Sequence, residues 1–498
     1  MAENYHKEVI AGLKDRSLFI QEAFIDGKWV CKDNKFDVFE PSTATVLGQV
    51  ANCSLEDFQI AIKSADAAHA KYFHTTTGAS RGALLRKWYD LVIANQEDLW
   101  FLVAKILSLE NGKTFAEAQG EVVYSASFIS WFAEEATRSY GVTIPSSTPH
   151  TTLMTIREPV GVCGIITPWN FPAAMITRKI APALAAGCSV VIKPPSETPY
   201  SALAFTKLAV EAGLPPATIQ VLPTRDRQAA TELATNPLVK KISFTGSTNV
   251  GKLLAKLAAG TLKKLSLELG GNAPFIVFED ADLDLAAEGA MFCKFRCSGQ
   301  TCVCANRFYV QKSVSKEFTA RLIEKVHALK MGSGLNVSTT QGPLVNKSAV
   351  DKVKEHIADA TSKGAKVVIG GSTPDGPGFF HQPTILTSVT QEMAVAKDET
   401  FGPLAPIFEF ETEEDAIRLA NDTEFGLAGY FFSKDISRVM RVAHRMQVGM
   451  VGANTGKISA AEAPFGGVKE SGYGKEGSLY GMAEYQNIKS ITIGNLDH

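Results

Sequence analysis

The sequence predicts an α/β fold built on parallel sheets, and three observations carry the prediction. From Gly161 to Leu269 short apolar runs alternate with helical segments. After Gly270-Gly271 a second alternating series begins and continues to Met450-Val451. Between the N-terminal helical stretches and the first series, the pattern turns to Thr, Ser and Pro, the composition of a small β-flap.

The elements follow in order. Short strands at 23–25 and 28–30 flank the turn Asp26-Gly27. Helical periodicity fills 55–72, 79–108 and 114–138, and 141–155 reads as extended strands. The first series runs as strand 160–167, helix 173–186 closed by Gly187, strand 188–193 and helix 201–211 closed by Gly213. It continues as strand 219–222, helix 228–235, strand 241–245, helix 249–259 and strand 264–269. Such alternation argues a parallel sheet covered on both faces. The second series opens as strand 274–278, helix 284–295, strand 307–311 and helix 315–329, with Gly270-Gly271 as the hinge between the two. The tail, 487–496, is β-prone and suits pairing with another element or another subunit.

Composition excludes several classes. A chain of 498 residues is too long for one core. A formal charge of −2, from 50 basic and 52 acidic residues, gives no field to attract nucleic acid or an anionic membrane. No apolar run reaches the ~18 residues of a membrane span. The first residues carry Glu3, Glu8 and Asp15 with no apolar stretch and one Arg, so neither a secretory signal nor a mitochondrial leader is expected. Eight scattered cysteines fit reduced thiols in a cytoplasmic protein. No metal site is expected, because Cys302-Val303-Cys304 is too tight for zinc spacing.

The chemistry centres on Cys302. It follows the flexible pair Ser298-Gly299, precedes a strand, and has Arg296 and Cys304 beside it. Thiolates form best near positive charge. Glu268, at the end of a strand, suits a general base or a salt-bridge partner. Asn170, rigid within Pro168-Trp169-Asn170-Phe171-Pro172, suits an oxyanion donor or a turn. Phe244-Thr245-Gly246-Ser247-Thr248-Asn249-Val250-Gly251 joins a strand to a helix, where glycines and free N–H groups suit either an anion or an ordinary N-cap. Lys193 ends a strand of the same sheet, where parallel sheets bind ligands.

Together with Leu267-Glu268-Leu269-Gly270-Gly271-Asn272, Gly299-Gln300-Thr301-Cys302 and Glu399-Thr400-Phe401-Gly402-Pro403, these motifs resemble the NAD(P)-dependent aldehyde dehydrogenase superfamily, from about residue 20 to the C-terminus. Ala174 to Lys179, Lys294-Phe295-Arg296, Gln300 to Ala305 and Pro464 to Gly472 are most similar to its succinate-semialdehyde dehydrogenases, the fungal ones above all. The resemblance implies a Rossmann-like cofactor domain (1–138 and 156–269), an α/β catalytic domain (270–474) and an oligomerisation flap and tail (139–155 and 475–498). It implies Cys302 as nucleophile, Glu268 as base and Asn170 as oxyanion donor. Cofactor contacts fall on Trp169, Lys193, Ser196, Thr245, Gly246, Ser247, Gly251, Glu399 and Phe401. A distal substrate carboxylate falls to Arg178, Arg296 and Ser459, arginine being suited to bidentate pairing. Ser196 stands where NAD-preferring relatives carry Glu, so NADP is favoured with NAD as the second choice; Glu197 next door weakens the preference if it turns inward. Cys304 implies a redox off-switch with Cys302. Cys297 and Lys457 depart from the usual pattern. The expected partner is an aldehyde with a distal carboxylate, succinate semialdehyde first and glutarate semialdehyde as the alternative, in a homodimer or homotetramer.

Overall fold

The computed structural model describes residue 10, residues 16–94 and residues 99–495. Outside that description lie most of residues 1–15, residues 95–98 of the helical stretch 79–108, and residues 496–498 at the end of the tail.

Eight strands form the first sheet. Its centre is five parallel strands in the spatial order Ile219–Val221, Ser189–Lys193, Val162–Ile166, Val239–Thr245 and Lys264–Glu268. These strands are buried nearly throughout, as a sheet covered on both faces requires. The hairpin Ala23–Ile25 and Lys28–Val30 closes one edge. At the other edge Gly472–Tyr473, arriving from the far end of the chain, pairs antiparallel with Leu267 and Glu268. Two residues carry no periodicity, so this last strand left no mark in the sequence.

The register aligns the carboxyl ends of the central strands. Ile166 lies opposite Lys193, and Thr245 opposite Glu268. That alignment brings the Trp169 segment, Lys193, Gly246 and Glu268 to one rim of the sheet, where parallel sheets bind ligands. Helices pack on its faces, and two of them start with capping boxes, Ser54 with Asp57 and Thr114 with Glu117. The stretch 79–108 contains two helices, Gly78–Ala94 and Leu99–Asn111; the stretch 114–138 is one helix, Phe115–Glu135, shorter at its end. Helix Ala174–Ala186 is buried at every position and ends on Gly187 in the left-handed conformation.

The second sheet has seven strands in the order Lys366–Ile369, Thr384–Thr387, Leu404–Phe410, Ala305–Gln311, Ala273–Val277, Ala428–Phe432 and Met450–Ala453, parallel except for the first. Phe275 contacts Phe308, Phe318, Tyr430 and Phe432 at its core. Each such ring contributes about 1.5–3 kcal/mol on burial. A third, antiparallel sheet joins Thr143–Ile144, Thr152–Pro159 and Gln486–Ile493, so the β-prone tail pairs with the flap of its own chain. It leaves Ile144, Ile156, Ile488 and Ile493 exposed. Among the described residues no helix is long and apolar enough to cross a membrane.

Candidate active site

Cys302 is half-buried and sits in the turn that leads from helix Leu283–Lys294 into strand Ala305–Gln311. The approach to it is rigid, not flexible as Ser298-Gly299 suggested. Cys297, Ser298 and Gly299 all take positive φ, at 50°, 54° and 75°. For the two non-glycines this costs roughly 1–2 kcal/mol each. Fixed partners offset the cost. Glu117 caps its own helix through one carboxylate oxygen and accepts the Cys297 N–H with the other at 2.7 Å. The Ser298 hydroxyl donates to the Gly342 carbonyl at 2.7 Å, and Gln300 Oε1 accepts the Val345 N–H at 2.9 Å. A side chain at Gly299 would put its Cβ 2.1 Å from the Gly402 carbonyl oxygen. Burial pushes the Cys302 thiol up to about 12; Arg178 pulls it down, and the carboxylates Glu399 and Glu268 push it further up.

Asn170 reaches the same turn. Its side-chain N–H donates to the Gln300 carbonyl at 3.1 Å, and its Oδ1 accepts the Phe171 N–H at 3.1 Å. What holds it comes from residues that no motif marks. Lys113 donates to the Asn170 carbonyl at 2.8 Å and pairs with Glu121, both side chains fully buried. Glu121 accepts the N–H groups of Ala173 and Ala174 at the start of helix Ala174–Ala186. Asn111 holds the Trp169 carbonyl at 2.8 Å.

Glu268 is 1% exposed, and neither carboxylate oxygen has a hydrogen-bond partner. Burial, reinforced by the Glu476 charge, holds its carboxyl well above the usual range, against the pull of Arg178, Lys179 and Lys475. Glu476 behaves oppositely. Burial disfavours its charge, but ion pairs with Arg178 and Lys179 overcome that and keep it below the usual range. Two neighbouring carboxyls are thereby split, one ionised and one poised to take or give a proton. At Gly466 an added Cβ would fall 2.9 Å from Glu268 Oε1, so that glycine preserves the room.

On one side of Cys302 lies a cavity of about 470 Å3 lined by Trp169, Asn170, Thr245, Gly246, Ser247, Glu399 and Phe401. It opens into a cleft of about 1040 Å3 that includes Thr248, Lys252, Lys352 and His356. Ser247 is the N-cap of helix Thr248–Ala258, yet its side chain makes no cap bond, which leaves the hydroxyl free beside unpaired N–H groups. Glu399 accepts the Gly271 N–H at 3.2 Å, and burial pushes its carboxyl up to about 7. Phe401 adopts φ 56° and sets its ring against Trp169, edge to face at 5.4 Å. Gly251 lies outside the cavity: its Cβ would fall 2.4 Å from Leu269, so it serves close packing of helix on strand. Ser196 lies in a separate cavity of about 160 Å3 with Glu197, Arg225 and Glu110. Its hydroxyl donates to Glu197 at 3.1 Å, and Glu197 also acts on Lys193, whose ammonium burial holds below its usual range. Glu197 therefore does face inward. Together these groups fit a dinucleotide: a helix N-terminus for phosphate, a carboxylate for a ribose, and aromatic walls for a ring.

On the other side of Cys302 are aromatic rings and cations. Arg178 is 1% exposed; it is paired with Glu476 and stacked 4.1 Å over Phe465. Arg296 lies 4.5 Å over Phe292 and 5.4 Å over Phe171, and its Nε has no partner. Burial pushes the Tyr124 hydroxyl up, and Arg178, Arg296 and Ser459 all pull it back down. Tyr124 thus lies within electrostatic reach of all three expected substrate residues. Sequence periodicity places it only within the helical stretch 114–138. Cys297 is buried and faces Lys113 and Glu117. Cys304 is a buried free thiol within 4.0 Å of the Lys294 carbonyl. Among the described residues no group of three or more metal-ligating side chains gathers.

The aldehyde dehydrogenase family matches residues 29–491. The chain is 53% identical to the NADP(+) succinate-semialdehyde dehydrogenase 1 of Schizosaccharomyces pombe, over 97% of this chain and 98% of that one. It is 51% identical to a glutarate-semialdehyde dehydrogenase of Pseudomonas aeruginosa, over 97% and 100%. A solved succinate-semialdehyde dehydrogenase from Burkholderia pseudomallei superposes with a TM-score of 0.95 at 52% identity, over 97% and 100%. Sheet order, site geometry and sequence agree that the chain belongs to the aldehyde dehydrogenase family.

Proposed function

We propose that the protein oxidises succinate semialdehyde to succinate with NADP+ as the hydride acceptor. The observation that carries this reading is the placement of the Cys302 thiol. It lines the cavity of about 470 Å3 together with Asn170, and the buried Glu268 carboxyl and the Arg178 guanidinium both act on it. Relatives named for NADP(+) and succinate semialdehyde, at more than half identity, support the substrate and cofactor.

Cys302, as thiolate, attacks the aldehyde carbon. The Asn170 side-chain N–H and the Cys302 backbone N–H stabilise the oxyanion of the resulting thiohemiacetal. Bound NADP+ supplies the hydride acceptor, and its positive ring favours the thiolate. Glu399 holds its ribose and Ser247 its pyrophosphate. Trp169, Thr245, Gly246 and Phe401 wall the cleft, and Lys193 and Ser196 serve the adenine ribose, where the inward Glu197 weakens the preference for NADP over NAD without removing it. The Cys302 thioester that remains is hydrolysed by a water from which Glu268 takes the proton. A base poised there favours release of the free acid. Arg296 meets the distal carboxylate directly, and Arg178 and Ser459 act on the same end through Tyr124.

Cys304 is the partner for oxidative shut-off: peroxide converts the two thiols to a disulfide and water, and dithiothreitol restores them. The exposed isoleucines of the third sheet suit a homodimer or homotetramer, and a cytoplasmic site fits the composition. The direct test compares kcat/KM for succinate semialdehyde and uncharged aldehydes with both cofactors. The expected result is a preference for succinate semialdehyde with NADP; equal rates with an uncharged aldehyde would overturn the substrate assignment, and a preference for NAD the cofactor assignment.

A further inference from the structure

The cluster of rings and cations on the substrate side includes a cation that the family resemblance does not account for. The ring of Phe292, on helix Leu283–Lys294, has two cations against it: the Arg296 guanidinium at 4.5 Å and the Lys457 ammonium at 5.5 Å from its centroid. Arg296 is wedged between this ring and Phe171. Lys457 is exposed, and no carboxylate lies within ion-pair distance of it among the described residues. The third cation, Arg178, is already ion-paired with Glu476, which it shares with Lys179.

The turn that carries Lys457 is held in place. The Lys457 N–H donates to Thr455 Oγ1 at 3.1 Å, and the Asn454 amide donates to the Ser433 carbonyl at 2.9 Å. Gly456 sits so close to helix Leu283–Lys294 that an added Cβ would fall 2.8 Å from Cys293 Sγ. The turn is therefore laid on the same helix that presents Phe292. An aromatic face lowers the cost of holding a cation out of bulk water. Two cations on one ring still repel each other, and an anion arriving between them relieves that repulsion.

We propose that Lys457 is a specificity-determining residue that forms the outer half of the site for the substrate's distal carboxylate, extending the accepted aldehydes from four carbons to five. The proposal rests on the reading that the pocket takes an acidic semialdehyde. The planar Arg296 group, fixed between two rings, holds a carboxylate at one depth from Cys302. A substrate one methylene longer carries its carboxylate further out. There the flexible stem of Lys457 follows it, because an ammonium acts as a mobile point charge where a guanidinium needs a fixed geometry.

The test is steady-state kinetics of the wild-type enzyme, K457L and K457R with succinate semialdehyde, glutarate semialdehyde and pentanal. In K457L the ratio of kcat/KM for glutarate semialdehyde to that for pentanal falls about tenfold, and the corresponding ratio for succinate semialdehyde about threefold, both through KM. K457R, which keeps the charge but not the mobile ammonium, recovers only part of the loss, and added salt shrinks the wild-type advantage. The proposal is overturned if K457L leaves both ratios where they were, or if all three substrates lose the same factor. A wild-type enzyme that turns over pentanal as well as the two acids would overturn the acidic-substrate reading itself. That outcome is read before any substitution is made, so the two failures are distinguishable.

Discussion

The two ends of the cavity that meet at Cys302 are built from different materials. The cofactor side draws its polar contacts mainly from backbone, at the helix N-terminus after Ser247 and at the glycines 246, 270 and 271, with one carboxylate, Glu399, and the Trp169 and Phe401 rings as walls. The substrate side is made of side chains drawn from distant parts of the chain: Tyr124, Phe171, Arg178, Phe292, Arg296, Ser459 and Phe465. Backbone donors suit a ligand common to many enzymes, since they present one geometry whatever the surface around them. Side chains suit the ligand that must be told from its neighbours. Changes on one side should therefore leave the other side's KM alone.

The largest expected separation is Arg296→Leu. Removing the Arg296 guanidinium, whose Nε has no partner among the described residues, should lower kcat/KM for succinate semialdehyde by about 100-fold or more, in line with the ~2–5 kcal/mol of a truncated charge pair. KM for NADP should stay within about twofold. A parallel rise in both KM values would break the division. Ser196→Glu makes the mirror-image test. A second carboxylate beside Glu197 should lower kcat/KM with NADP by about 30-fold and leave NAD nearly unaffected. Equal losses with both cofactors would place Ser196 away from the 2′-phosphate.

Much of the cofactor side was legible because its signals are local. Phe244 to Gly251 are contiguous, and the strand, glycine and cap follow one another in the sequence as they do in space. The helical and strand runs of both series were legible for the same reason, their periods being carried by neighbouring residues. The substrate side was not. Lys179 and Glu476 are 297 residues apart, Cys297 and Glu117 180 apart, and no pattern links such pairs. Arg178 could be matched to a motif, but its capture by Glu476 could not be foreseen. Lys113 and Glu121 carry no motif, and only the fold buries both and sets them under Asn170. The rigidity of Ser298-Gly299 also escaped, because it depends on Gly342 and Gly402 from elsewhere in the chain.

Lys113 supplies a test of that hidden support. Lys113→Met leaves Glu121 buried without its partner, which should cost about 3–5 kcal/mol of stability. By loosening Asn170 it should also lower kcat about tenfold, with little change in either KM. K113M/E121Q should recover much of the stability and less of the kcat. If kcat returns in full with stability, the pair supports the fold and has no part in placing Asn170. The smallest effect concerns Glu399, pushed up to about 7. Its charged form accepts a ribose hydroxyl more strongly and dominates above that pH. KM for NADP should therefore fall about threefold between pH 6 and pH 8 in the wild type, and stay flat in E399Q. A flat wild-type profile would remove Glu399 from the ribose.

The central claim is that Cys302 carries the acyl group and Glu268 activates the water that releases it. Burial and Glu476 hold Glu268 above the usual carboxyl range, so its base form grows as pH rises, and release should quicken with pH. E268Q removes the base and leaves the thiol. Intact-mass analysis of E268Q, mixed with succinate semialdehyde and NADP+, should find a succinyl adduct on Cys302 after a burst of NADPH stoichiometric with active sites and almost no further turnover. An E268Q enzyme that turns over at the wild-type rate, or shows no adduct after the burst, would contradict the account.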